Sequence, residues 1–119
     1  AIIELIGEWN DCIENDIMTL KREVIDYMMT KGIDKFILIT ENVLNFHSSD
    51  DCYYEEWWDD IRDKGGWIVS LNMPEQTRQE FHNARLDNYV HLLDQPNWRV
   101  FQPQSLFSQV DNQMIKLLS

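Results

Sequence analysis

Residues 35–66, KFILITENVLNFHSSDDCYYEEWWDDIRDKGG, decide the fold of this chain. The run Lys35–Thr40 is almost wholly apolar, which is typical of a strand covered on both faces of a parallel sheet. A polar loop, residues 41–49, follows this strand, and a helix is predicted over about residues 50–64. In that helix the aromatic and aliphatic side chains share one face, and the acidic side chains share the other. The stretch therefore predicts a strand–loop–helix unit, which ends at Gly65 and Gly66.

Outside this unit, short apolar runs alternate with longer stretches of helical period. The order βαβαβαβα with short connections predicts a single α/β domain over residues 1–119, with a four-stranded, mostly parallel sheet flanked by helices. The other strands are predicted at Ala1–Ile6, Trp67–Leu71 and Trp98–Phe101, and the other helices at about residues 14–31, 74–93 and 103–117.

The chain is acidic, and its charge restricts the classes of partner. Its 10 Lys and Arg residues against 21 Asp and Glu residues give a net charge of −11 and a pI near 4.4. Nucleic acids and anionic membranes are bound through clustered Lys and Arg, so neither is expected as a partner, whereas a basic protein surface would be attracted. No apolar run approaches the roughly 18 residues of a membrane span, and Cys12 and Cys52 are too few for a disulfide framework. We therefore expect a cytoplasmic protein.

Polar residues follow the predicted strands at their carboxyl ends, where open parallel sheets bind ligands. Carboxylates there would suit Mg²⁺ or Ca²⁺, but they lack the fixed spacing of a metal motif, and acidic residues at helix starts also interact with the helix dipole. The sequence therefore predicts no metal and no cofactor. A small ligand- or metal-binding domain, or an enzyme that uses this acidic edge, is the alternative function. The residues of the acidic edge are Glu8, Asp11, Glu41 and Asp50, with His47 as a further candidate ligand.

The common catalytic motifs are absent from the sequence. Ser48 and Ser49 lack the Gly-x-Ser-x-Gly elbow of serine hydrolases, and no glycine-rich phosphate loop occurs. Cys12, His47 and Cys52 lack the paired spacing of a zinc site. A phosphoacceptor receiver domain would need a lysine near its last strand, where this chain has Gln-Pro-Gln. We therefore predict no catalytic residues.

Several motifs resemble those of the STAS domain family, the anti-sigma-factor antagonists and their relatives. LIGEWND (Leu5–Asp11) is similar to that family's strand ending in Gly-Glu-Leu-Asp. NVLNFHSS (Asn42–Ser49) is similar to its Val-x-Phe-Ile-Asp-Ser-Ser turn, ARLDNYV (Ala84–Val90) to its Gly-Leu-Asp segment, and VFQPQSLFSQV to its closing strand and helix.

The resemblance implies a non-catalytic regulatory module that binds a protein partner around the serine turn, with an additional strand before Ala1. It also implies that a kinase partner phosphorylates the first serine, which corresponds to Ser48. In this chain His47 replaces the family's aspartate, and Asp50 and Asp51 replace the Gly-Leu after the serines. Their carboxylates would repel a phosphate of about −1.5 to −2 charge on Ser48. The predicted partner-binding residues are His47, Ser48, Ser49, Asp50 and Asp51.

Overall fold

The computed structural model describes residues 1–10, 16–47 and 52–118. These residues form a four-stranded sheet in the order β1-β2-β3-β4, and all three pairs of neighbouring strands are parallel. The predicted fold class is therefore confirmed. The strands are β1 (Ile2–Asn10), β2 (Lys35–His47), β3 (Trp67–Leu71) and β4 (His91–Leu93).

Helices connect successive strands, as parallel pairing requires. Between β1 and β2, two short α-helices join through a π-helical turn into one helical segment, residues 16–30. No helix in the described part of the chain is both long and apolar enough to cross a membrane. The helical elements are α1 (Asp16–Thr19), the π turn (Leu20–Ile25), α2 (Asp26–Thr30), α3 (Cys52–Arg62), α4 (Glu75–Asn83) and α5 (Pro103–Leu118), with 3₁₀ turns at Leu86–Asn88 and Trp98–Val100.

The sheet is covered on both faces, and successive residues of β2 point to opposite faces. Phe36 and Leu38 belong to one core cluster, which α1, α3 and α4 cover. Ile37 and Ile39 belong to a second cluster, which α5 covers. All four side chains are buried, which explains why this strand reads as a continuous apolar run in the sequence.

The first two strands run further than the sequence predicted. β1 continues through Gly7 to Asn10, and β2 continues through the predicted 41–49 loop as far as His47. Two register shifts, after Glu4 and after Gly7, give β2 extra residues relative to β1 while the pairing persists. The sequence did not predict this extension of β2, because the polar residues beyond residue 40 interrupt the apolar run that is typical of a buried strand.

The fourth strand was predicted in the wrong place. The strand is His91–Leu93, which pairs with Val69–Leu71, and Trp98–Phe101 instead contains a 3₁₀ turn. The helix predicted over residues 74–93 ends at Asn83, because Arg85 adopts a left-handed conformation with φ of 62°.

The helical spacing of Leu106, Val110, Met114 and Leu117 predicts that all four lie on the inward face of α5. The first three are buried, but Leu117 is 59% exposed. The second core cluster thus ends at Met114.

Replacing Trp57 tests the packing of the larger core cluster. Trp57 is completely buried and meets Phe36 edge to face, with ring centroids 5.3 Å apart, whereas Trp58 is partly exposed. We expect Trp57→Ala to lower the free energy of unfolding by ~3–5 kcal/mol, because it removes buried apolar surface and leaves a cavity. Trp58→Ala is the control and should cost clearly less. Urea unfolding at an unchanged m-value measures both losses, and equal losses would contradict this assignment of the core.

Candidate functional site

The carboxyl ends of β1 and β2 project beyond the rest of the sheet as a two-stranded parallel ribbon. The pairing of β2 with β3 ends where Ile39 lies opposite Leu71. The pairing of β2 with β1 continues until His47 lies opposite Asn10. The predicted serine turn, residues 48–51, follows directly in the chain, and α3 begins at Cys52. We call the paired residues 6–10 and 42–47 the ribbon.

Side chains from α3 and α4 hold this ribbon against the body of the protein. The Trp9 indole Nε1 donates a hydrogen bond to the Tyr54 hydroxyl at 3.0 Å, which ties the end of β1 to the first turns of α3. The Tyr54 ring in turn meets Phe81 of α4 edge to face at 6.0 Å. The Thr77 hydroxyl donates to the backbone carbonyl of Val43 at 3.2 Å. These contacts fix one face of the ribbon to α3 and α4.

The predicted site residues divide between the ribbon and the segments outside the described residues. Ser48, Ser49, Asp50, Asp51 and Asp11 lie outside the described residues. His47 and Glu8 lie in the ribbon, where their backbones pair with Asn10 and Asn45 respectively. His47 is therefore a strand residue and not part of a loop.

The remaining residue of the predicted acidic edge, Glu41, is already engaged. Its Oε1 accepts a hydrogen bond from Nη2 of Arg99 at 3.1 Å, and the same nitrogen donates to Oε2 of Glu4 at 3.1 Å. Within residues 1–10, 16–47 and 52–118, no three His, Cys, Asp or Glu side chains are arranged to hold a metal ion. Glu41, the one residue of this edge whose side chain is described, therefore forms an ion pair with Arg99.

A small cavity lies beneath the ribbon, between the sheet and the helices of the larger core cluster. Its volume is about 30 Å³, and Trp9, Val43, Tyr54 and Thr77 are among the residues that line it, whereas Glu41 is not. Ligand pockets for organic molecules are typically ~300–1,000 Å³, so this cavity accommodates no more than a water-sized group. Beneath the ribbon the described residues thus leave no pocket for an organic molecule, and a ligand would contact only the outer surface.

A buried lysine, which the sequence analysis missed, joins the first helical segment to α3. Lys21 is 1% exposed, and its Nζ forms a hydrogen bond with Asp26, another with Asp60 at 3.1 Å, and an ion pair with Glu56 at 3.5 Å. Burial opposes the charged form, but the hydrogen bonds that Nζ donates to Asp26 and Asp60, together with the charges of Asp26 and Glu56, outweigh this effect and raise the pKa of Lys21. Lys21 lies on the π turn. Since Glu56 and Asp60 belong to α3, Lys21 helps to fix the helix that follows the serine turn.

No protein-family model matches the chain, and no curated protein sequence matches it. Solved structures do match. The anti-sigma factor antagonist SpoIIAA in its unphosphorylated form superimposes with a TM-score of 0.67 at 14% identity, over 93% of this chain and 87% of that chain. The fold is STAS-like.

Two further solved structures agree with this STAS-like fold. The Bacillus cell fate determinant SpoIIAA in its phosphorylated form matches with a TM-score of 0.59 at 15% identity, over 92% of this chain and 88% of that chain. The protein TM1081 matches with a TM-score of 0.57 at 22% identity, over 77% of this chain and 74% of that chain. The resemblance that short motifs suggested is thus confirmed at the level of the fold.

The hydrogen bond between Trp9 and Tyr54 can be measured by a double-mutant cycle. We expect Trp9→Phe and Tyr54→Phe to show a coupling energy of ~0.5–1.5 kcal/mol in the free energy of unfolding, because each change removes the same hydrogen bond. Tyr53→Phe, one residue earlier on α3, is the matched control and should show no coupling with Trp9→Phe. A coupling energy of zero for the Trp9–Tyr54 pair would show that the ribbon is not held by this contact.

Replacing Lys21 tests the link between the first helical segment and α3. Lys21→Met keeps the apolar stem but leaves the carboxylates of Asp26, Glu56 and Asp60 without their cation, so we expect a loss of ~1–3 kcal/mol at pH 7. Because the folded pKa is raised above 10.5, this contribution is present below about pH 10.5 and is lost as the pH rises further. Urea unfolding at pH 7 and pH 11 checks both statements. The exposed Lys64→Met is the control, and an equal loss there would contradict the role of Lys21.

Proposed function

We propose that this chain is a non-catalytic regulatory module of STAS type, which binds a protein partner at the serine turn. The observation that carries the proposal is the ribbon. Parallel pairing continues to Asn10 and His47, so the chain enters the turn from a projecting part of the sheet. The projecting end of a strand pair is accessible to a large partner, whereas an active site needs a concave environment that excludes water.

The small volume beneath the ribbon supports recognition of a surface over catalysis. A cavity of about 30 Å³ leaves no room for an organic substrate, and Glu41 of the acidic edge forms an ion pair with Arg99. Binding would then use the side chains of the turn and the start of α3. The proposed contact residues are His47, Ser48, Ser49, Asp50 and Asp51.

The structural neighbours support a regulatory role. SpoIIAA is an anti-sigma factor antagonist, and its structure is known in an unphosphorylated and in a phosphorylated form. By analogy, Ser48 or Ser49 of this chain would be the phosphoacceptor. Since the chain carries a net charge of −11, a partner with a basic surface would be attracted to it.

A phosphate on Ser48 would have little net effect on the stability of the fold. The positive end of a helix dipole favours an anion by ~0.3–1 kcal/mol at an exposed site. The carboxylates of Asp50 and Asp51 would each oppose it by about 1 kcal/mol at ~4 Å in a water-like dielectric. Because these contributions are small and opposed, phosphorylation would act through the surface presented to the partner.

Substitutions at Ser48 test the proposal. We expect Ser48→Asp to leave the melting midpoint nearly unchanged and to weaken binding of the partner, because it adds a charge in the contact. Ser48→Ala should keep the binding. The measurement is a paired titration against the partner recovered with the full-length protein from the native host.

Ser105→Asp is the matched control, because Ser105 is an exposed serine on α5, distant in sequence from the turn. This change alters the net charge by the same amount and should leave the affinity unchanged. If wild type, Ser48→Asp and Ser48→Ala bind the partner with equal affinity, Ser48 has no part in the mechanism.

A further inference from the structure

A second candidate site lies between α4 and the turn that leads from it to β4. It is an open groove of about 500 Å³, a volume in the range of specific binding sites in proteins. Its lining is mostly polar, unlike that of the small cavity beneath the ribbon. The polar lining residues are Glu75, Arg78, Gln79, His82, Asn83 and Asp87.

The path of the chain after α4 brings a carboxylate to His82. The helix ends at Asn83, and Arg85 adopts a left-handed conformation with φ of 62°, which turns the chain back. The backbone N–H of Arg85 donates to the carbonyl of His82 at 2.9 Å, and the buried side chain of Leu86 anchors the turn. The next residue, Asp87, lies beside the imidazole, with its Oδ2 at 2.8 Å from Nδ1 of His82.

This hydrogen bond determines the chemistry of the other ring nitrogen of His82. An ionised carboxylate can only accept hydrogen bonds, so Nδ1 carries the proton and donates it to Asp87. In the neutral imidazole the lone pair is therefore on Nε2. The His82 side chain is 75% exposed, so this nitrogen is accessible to a reagent in solution.

The neighbours of His82 favour one reaction of a nucleophilic nitrogen over the others. A metal ion would need further ligands, but the described residues contain no group of three His, Cys, Asp or Glu side chains that could hold one. Hydrogen-bond donors lie beside His82 instead, because Arg78 and Gln79 precede it by four and three residues on α4. A guanidinium has five N–H donors, and the hydrogen bond from Arg78 to Asp94 at 2.9 Å uses one of them. Charged donors of this kind suit phosphoryl oxygens.

We infer that Nε2 of His82 is a phosphoryl-acceptor site for a donor with a P–N bond. The lone pair of Nε2 attacks phosphorus, the P–N bond of the donor breaks, and the protonated nitrogen of the donor leaves as a neutral amine or as ammonia. In the product phosphorus is bonded to Nε2 and Nδ1 keeps its proton, so the ring becomes cationic. The carboxylate of Asp87 stabilises that charge as it forms, and Arg78 contacts the phosphoryl oxygens.

This site uses other residues than the serine turn. His82 and Asp87 lie at the carboxyl end of α4 and in the 3₁₀ turn after it, whereas the serine turn follows the end of β2. The inference therefore goes beyond the proposed function and does not depend on it.

The test uses the full chain and phosphoramidate, a small donor with a P–N bond, as the probe. Peptide mapping by mass spectrometry measures the rate of phosphorylation at His82, and phosphorus NMR distinguishes the Nε2 product from the Nδ1 product. His82→Gln identifies the site. Asp87→Asn removes the carboxylate at nearly unchanged size, and Glu80→Gln is its matched control, because Glu80 is exposed on α4 and does not line the groove.

We expect phosphorylation of the wild-type chain on Nε2 of His82, and loss of this product in His82→Gln. Asp87→Asn should slow the reaction about tenfold, because it removes the charge that stabilises the cationic ring and the acceptor that fixes the tautomer. Glu80→Gln has the same loss of charge and should leave the rate unchanged. All rates are measured below the melting midpoint of every variant, so that a slower reaction reports on the ring and not on unfolding.

Several results would overturn the inference. These are the absence of phosphorylation at His82, a product on Nδ1, and equal rates for the wild type, Asp87→Asn and Glu80→Gln, which would mean that His82 reacts only as an exposed imidazole. Nitrogen NMR of the ring is a second, independent measurement, since it identifies the protonated nitrogen of the neutral imidazole. A proton on Nε2 in the wild-type chain would contradict the tautomer on which the inference depends.

Discussion

Burial of both faces of β2 and β3 is the constraint on which the rest of the structure depends. Parallel strands need crossover connections, and those connections place helices on the faces of the sheet. In this chain the requirement produces two apolar clusters, with Phe36 and Leu38 in one and Ile37 and Ile39 in the other. The helices are distributed unequally, because the segments before β2, β3 and β4 all pack on one face and α5 packs alone on the other.

The ribbon is the part of the sheet where this constraint no longer holds. Beyond Ile39 the strand β2 loses its neighbour β3, and β1 and β2 continue as a pair. Val43 is buried there, but Ile6 and Asn42 are exposed. Two hydrogen bonds hold this strand pair to the helices. One runs from Trp9 to Tyr54, and the other from Thr77 to the carbonyl of Val43.

Sequence patterns predicted the features that depend on continuous burial, such as the sheet, its parallel direction and the strand Trp67–Leu71. They failed where local geometry decides, as at the three-residue strand His91–Leu93, which is too short to show a period. The serine turn stays a prediction. The ribbon that leads to it was missed because polar residues interrupt the apolar run of β2 beyond Thr40. Lys21 was missed because lysine normally indicates a solvated face, although it lies four residues after the buried Ile17 and therefore on the same side of the helical segment.

The π turn at Leu20–Ile25 has a consequence for the tolerance of this chain to insertions and deletions. Leu20 and Ile25 are five positions apart and both buried, a spacing that a π turn aligns on one face and an α-helix does not. A π turn takes up one extra residue, about 100° of α-helix, so removing one residue here and restoring α geometry would leave the rotation of α2 relative to α1 nearly unchanged. The apolar side chains of α2 would then stay on the core, whereas the residues inside the turn, Lys21 among them, would change direction. A related sequence that is one residue shorter here would therefore keep the packing of α2 and lose the buried cation.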